Sequence, residues 1–107
     1  MPLVHRSSAT PVEMLPGIVR RTLNIGNHTM LIEVNLTEGA IIPWHTHPHE
    51  QIGYLADGRL LFELEKEKQE LASGDSWLVP SNARHQATAL EPCRLVDIFS
   101  PPRDEYR

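Results

Sequence analysis

Three histidines and one glutamine in this chain combine the side-chain chemistry and the spacing of a metal cage built in two halves. The first cluster runs Gly39, five residues, His45, one residue, His47, three residues, Gln51, six residues, Gly58. The second runs Gly74, five residues, Pro80, one residue, Asn82, two residues, His85. Borderline divalent metals take imidazole nitrogen and amide or carboxylate oxygen. In a strand, residues two apart share a face, so His45 and His47 aim at one point and Thr46 points away. Pro48 forbids a regular ladder and marks an edge or bend. Gln51 then opens the next strand, close enough to add its side-chain oxygen. His85 arrives from a distant segment after Asn82, a residue type that tolerates positive φ. His49 shares parity with His47, but Pro48 breaks the register, so an exposed or supporting position is expected for it. Glu50 is expected to face the other way, and His5 and His28 lie outside any cluster. Three neutral imidazoles and a neutral amide leave the full dipositive charge on a bound ion, which then attracts an anionic or enolic oxygen as a Lewis acid. Nickel, zinc, manganese, iron and copper all accept such ligands.

A second group of reactive residues lies near the C-terminus. The segment Arg94-Leu95-Val96-Asp97-Ile98-Phe99 is apolar apart from Asp97 once past its first residue. An aspartate inside such a strand is costly unless paired or functional. Burial raises a carboxyl pKa, which suits a proton-transfer group. Ser100-Pro101-Pro102 stiffens the exit, because each proline fixes φ. Arg103 is thereby held at a defined distance and can grip a carboxylate with two hydrogen bonds. A plainer reading stands beside this one: Asp97 caps a turn or pairs with Arg94 or Arg103, and Arg103 belongs to a solvated tail with Asp104, Glu105 and Arg107.

The elements that must position these groups read as strands. Residues 1–16 contain Pro2, Pro11 and Pro16 and are expected to form an irregular arm. Runs of β-branched and apolar residues follow at 18–25 and 30–36, separated by the turn pair Gly26-Asn27. Further runs occupy 39–44, 51–56, 59–64, 75–79, 85–90 and 94–99. Asp57-Gly58 between two apolar runs predicts a two-residue hairpin. Glu65-Lys66-Glu67-Lys68 reads as a solvated hairpin tip rather than a helical charge pattern. No helix is expected. Several short strands punctuated by Gly and Pro argue an all-β sandwich or barrel. Trp44, Tyr54 and Trp77 are assigned to core or interface packing.

With 107 residues the chain is one domain, divided here into an arm over 1–16 and a barrel over 17–107. The formal net charge of −4 argues against nucleic acid or an anionic membrane as partner. A small anionic substrate is compatible, because a bound cation and one arginine can dominate the local field. No apolar run approaches a membrane span, and no signal peptide is visible. The single cysteine, Cys93, suits a reducing compartment and a cytoplasmic location, and reads as a small semi-buried hydrophobe.

The two-part spacing from Gly39 to Leu90 resembles the paired motifs of the cupin superfamily, with Gln51 where many members carry glutamate and Asn82 where many carry glycine. The resemblance implies a double-stranded β-helix, the RmlC-like jelly-roll barrel. Single-domain cupins of the pectin degradation protein family are similar at His45-Thr46-His47-Pro48-His49-Glu50-Gln51 and at Asp97-Ile98-Phe99-Ser100-Pro101-Pro102-Arg103-Asp104-Glu105-Tyr106. It implies metal ligation by His45, His47, Gln51 and His85. It also implies a catalytic pocket lined by Asp97, Phe99 and Arg103, and an anionic sugar substrate, a 4,5-unsaturated uronate that the enzyme ketonises. It further implies a homodimer in which an N-terminal strand near Ile18 crosses between subunits. Two other activities occur on such barrels: oxygenation of a small metabolite with redox-active iron or copper, and metabolite binding without catalysis.

Overall fold

The alternation of apolar and polar residues from Ile18 onward becomes antiparallel sheet in a computed structural model, which describes residues 2–107. In chain order the strands are β1 (Val12–Leu15), β2 (Ile18–Ile25), β3 (Met30–Leu36), β4 (Ile41–His45), β5 (Glu50–Asp57), β6 (Arg59–Leu64), β7 (Glu67–Ala72), β8 (Ser76–Val79), β9 (His85–Ala89) and β10 (Cys93–Ser100). They form a six-stranded sheet, β1-β2-β3-β10-β5-β8, facing a four-stranded sheet, β4-β9-β6-β7. This is the jelly-roll barrel expected from the sequence.

The core lies between the sheets. Inward residues follow the two-residue period of each strand: Ile32 and Val34 on β3, Leu95 and Phe99 on β10, Leu55 on β5, Leu60 on β6. Register then sets the site. On the large sheet Asp97 pairs with Ile32 on one side and Gly53 on the other, and Gly53 pairs with Trp77. In the neighbouring row Phe99 pairs with Gln51, which pairs with Val79. On the small sheet His45 pairs directly with His85.

Several expectations are corrected. Asp57-Gly58 is not a hairpin: β5 and β6 belong to different sheets, and the pair carries the chain between them. Gly58 is required there for another reason. Its φ is +106°, and a Cβ would lie 2.3 Å from the Pro92 carbonyl oxygen. The hairpin is β6–β7, turning at Glu65-Lys66, with Glu65 at φ 51°. Glu67 and Lys68, expected in the tip, begin strand β7.

The arm is not wholly irregular, since it contains β1 and a 3-10 turn at Arg6–Ser8. Arg6 Nε and Nη2 donate to the outward-facing Glu33 carboxylate at 2.7–3.1 Å. A second 3-10 turn, Asp104–Tyr106, closes the chain. Ile18 is fully buried, and its strand β2 pairs with β1 and β3. Cys93 is fully rather than partly buried, and burial pushes its thiol pKa up.

Candidate functional site

The four proposed ligands reach one end of the barrel by three routes. His45 ends β4 and His85 begins β9, held side by side by the small sheet. Gln51 enters from β5 of the large sheet. His47 lies beyond the end of β4, on the connection to β5, so the connection and not strand parity sets its direction. One nitrogen from each of His45, His47 and His85 lies within 4.8 Å of the other two. Asn82, at φ 66°, donates its backbone N–H to the His47 carbonyl and ties the two motifs together.

Hydrogen bonds fix the orientation of each ring. His45 Nδ1 lies 2.7 Å from the Pro43 carbonyl oxygen, His47 Nδ1 2.9 Å from that of His49, and His85 Nδ1 2.9 Å from that of Ala83. A carbonyl only accepts, so each Nδ1 carries the proton and each Nε2 presents a lone pair. His47 Nε2 lies 3.0 Å from Gln51 Oε1, while Gln51 Nε2 donates to Asp97 Oδ1 at 2.9 Å. Two acceptors therefore face each other without a proton between them. His85 Nε2 is buried with no partner among the described residues. Four inward lone pairs with unmet demand fit a divalent cation. Burial lowers the pKa of all three imidazoles, that of His85 to about 4, so they are neutral and available at pH 7.

Asp97 stands against this cluster, 5% exposed. Its Oδ1 accepts from Gln51 and, at 3.2 Å, from Trp77 Nε1. Among the described residues nothing donates to Oδ2. Burial raises the Asp97 pKa to about 6, against the opposing pull of the two hydrogen bonds and the Arg103 charge. Neither Arg94 nor Arg103 pairs with Asp97: Arg94 binds Asp57 and Arg103 binds Glu105, the latter at 2.6 and 2.8 Å. Arg103 is nonetheless buried in the cleft rather than solvated, its guanidinium carbon 5.0 Å from the Phe99 ring and 4.1 Å from the Tyr106 ring. One cavity, of about 50 Å³, is lined by His45, Gln51, His85, Asp97, Phe99 and Arg103 together with Trp77 and Tyr106.

His49 is half-buried, with its ring 5.7 Å from that of His47, and serves the cluster through its carbonyl. Glu50 is exposed and faces away. Trp44 and Tyr54 lie outside the cavity. Sequence reasoning missed three participants. Trp77 was assigned to packing but also donates to Asp97. Gly53 makes that possible: a Cβ there would fall 2.0 Å from the Trp77 ring. A glycine inside an apolar strand is the available signal of such a close approach. Tyr106, from the C-terminal turn, walls the cavity, and its backbone carbonyl accepts from the Thr22 hydroxyl.

The two facing antiparallel sheets and the histidine cluster at one end define a class, and the comparisons agree: residues 32–99 match the Cupin domain family model, and the chain belongs to the cupin family. Within that family it is 36% identical over 100 residues, 91% of each chain, to the pectin degradation protein KdgF of Dickeya dadantii (strain 3937). The solved structure of KdgF from Halomonas sp. superposes with a TM-score of 0.92 at 35% identity, covering 97% of this chain and 96% of that one. An RmlC-like cupin from Shewanella frigidimarina NCIMB 400 gives a TM-score of 0.90 at 26% identity, covering 94% and 91%.

Proposed function

We propose that this protein is a metal-dependent enzyme that opens and ketonises 4,5-unsaturated uronates released from pectin or alginate. The observation that carries the reading is the meeting, at one end of the barrel, of four inward lone pairs, a buried carboxyl and a buried guanidinium. Likeness over nearly the whole chain to proteins named for pectin degradation supports the substrate class. His45, His47, Gln51 and His85 would hold a single divalent transition ion, nickel, zinc, manganese, iron or copper. Such an ion supplies Lewis acidity toward an anionic oxygen.

The remaining chemistry falls to the chain's own residues. Opening the ring leaves an enol beside the carboxylate. Conversion to the ketone removes the enol proton and adds one to the neighbouring alkene carbon. A carboxyl with a pKa of about 6 can both take and give that proton near neutrality. Gln51 and Trp77 hold Asp97 Oδ1, which leaves Oδ2 as the transferring atom. Arg103 exchanges its exposed partner Glu105 for the uronate carboxylate, which it can grip bidentately. Phe99 walls the cavity and excludes water.

The test follows loss of the conjugated double-bond absorbance of unsaturated galacturonate. The metal-loaded protein should accelerate it over a metal-stripped control, and no acceleration ends the reading. Asp97→Asn should lower turnover at least about a hundredfold while still binding saturated galacturonate. Wild type that binds but never turns over would instead mark a binding module.

Assembly and location belong to the same proposal. On the outer face of the large sheet Leu31, Ile98, Ile52 and Leu78 form one cross-strand row, three of them exposed. This row supports a homodimer, to be checked as a two-chain mass by light scattering. A reduced, buried Cys93 supports a cytoplasmic location, which cell fractionation tests. Among the described residues no helix is long and apolar enough to cross a membrane.

A further inference from the structure

Arg20 is a buried cation with no counter-charge and no part in the steps above. It follows Ile18 at the two-residue period of the inward face of β2 and is 8% exposed. Its neighbour Arg21 points outward, toward Glu33. Among the described residues no carboxylate pairs with Arg20, and its Nε has no hydrogen-bond partner. Its one polar side-chain contact is a weak one, Nη1 to Met14 Sδ at 3.9 Å. A desolvated, uncompensated guanidinium is costly to the fold, so packing alone does not account for it.

The residues around it face the cleft. The Arg20 guanidinium carbon lies 4.6 Å from the Tyr106 ring centroid, and that of Arg103 lies 4.1 Å from the same centroid. Tyr106 and Met14 line the cavity that holds Asp97 and Gln51. They also line an adjoining one of about 150 Å³ that extends past His45 toward Leu15 and Pro43. Arg20 thus sits one side chain behind the wall shared by both chambers. The charges facing this wall are few: Arg103, its exposed partner Glu105, and Asp97. In a low-dielectric interior a cation one ring away still acts strongly on an anion in the cavity. Two guanidinium groups over one phenol ring also hold that ring, and through it Arg103, in place.

We propose that Arg20, stacked on Tyr106, is the specificity-determining cation of the cleft. It sets the preference for an acidic ligand over its neutral counterpart by biasing the field at the cavity wall and by positioning Arg103 through Tyr106. The inference rests on the reading of the cleft as a sugar-acid site.

The test compares two unreactive probes, D-galacturonate and D-galactose, by calorimetric titration of the metal-loaded protein. Wild type should prefer galacturonate. Arg20→Met should reduce that preference about tenfold, chiefly by weakening the acid, with galactose affinity unchanged. Arg20→Lys, which keeps the charge and loses the planar stack, should fall between the two. The melting temperature of Arg20→Met should stay level or rise, because an unpaired buried charge has gone. If Arg20→Met does not fold, Arg20→Gln carries the same comparison. An unchanged preference, equal weakening of both sugars, or a wild type with no preference overturns the inference. A wild type that prefers galacturonate but never converts the unsaturated sugar sinks the proposed reaction and leaves Arg20's role standing. Turnover with a preference that Arg20 does not influence sinks only the latter.

Discussion

Hydrogen at Gly53, where every other residue has a carbon, lets the Trp77 indole lie flat enough over β5 to reach Asp97. A methyl group there would overlap the ring at 2.0–2.3 Å, and a rigid indole between two strands has nowhere to move without giving up its bond. Gly53→Ala should therefore cost about 1–3 kcal/mol in urea unfolding and lose most turnover, with metal content intact by elemental analysis. Normal stability and rate in that variant would show Trp77 to be mere packing. Asp97 itself makes a pH prediction for the metal-free chain. Its folded pKa of about 6 lies above the unfolded value of 3.8, so its stabilising contribution is complete below pH 3.8 and is lost as pH rises through 6. Asp97→Asn removes that decline, so its stability relative to wild type should grow between about pH 4 and pH 6. A difference that stays flat over that range contradicts it. At this scale the ligand cluster was legible because histidine and glutamine are informative residue types at fixed spacing. Trp77, Tyr106 and Arg20 were not, since a ring becomes a donor or a platform only once three strands and a terminal turn meet.

The elements tell the same story from another side. β3 announces itself because Ile32, Val34 and Leu36 alternate with Glu33 and Asn35, and β10 because its apolar run buries every second residue. β7 reads Glu-Lys-Gln-Glu-Leu-Ala with only Leu71 partly covered; as an edge strand it has little to bury, so no periodicity records it. Asp57-Gly58 carried a strong hairpin signal that lost to topology: the glycine was needed for the close pass beside Pro92 and Cys93, not for a turn between paired strands. The prolines of the N-terminal segment suggest a loose arm because they are local, whereas its anchor is remote. Arg6 reaches Glu33, whose carboxylate is nearly fully buried and whose pKa is held below its usual 4.5, first of all by that hydrogen bond. The contribution is present above pH 4.5 and fades as pH falls below it. Arg6→Ala should then lower the melting temperature at pH 7 and converge on wild type in acid. Equal losses at both pH values would assign the effect to packing.

For the molecule as a whole, the open end of the barrel gathers four lone pairs that a cation would satisfy. An ion bound to the folded chain and not to the unfolded one stabilises by mass action, about 2.7 kcal/mol at a hundredfold excess over Kd. Chelation should lower the melting temperature and a stoichiometric transition ion should restore it; indifference to chelation would contradict the ligand set. The jelly roll was visible in the sequence because motif spacing and strand punctuation pointed to the same barrel. The two-chamber cleft was not, because Met14 and Tyr106, which wall both chambers beside Ile42 and His45, come from the two extremes of the chain.

The carbonyls that anchor the three imidazoles come from Pro43, His49 and Ala83, each only two positions from the ring it steers. Such tethers form with the strand ends themselves and need no guest to set them. At the proposed metal site such short tethers would make the cup a ready-made socket, in which one ion could replace another with little movement of the three rings. Which element such a socket took in a cell would then be decided more by supply than by shape.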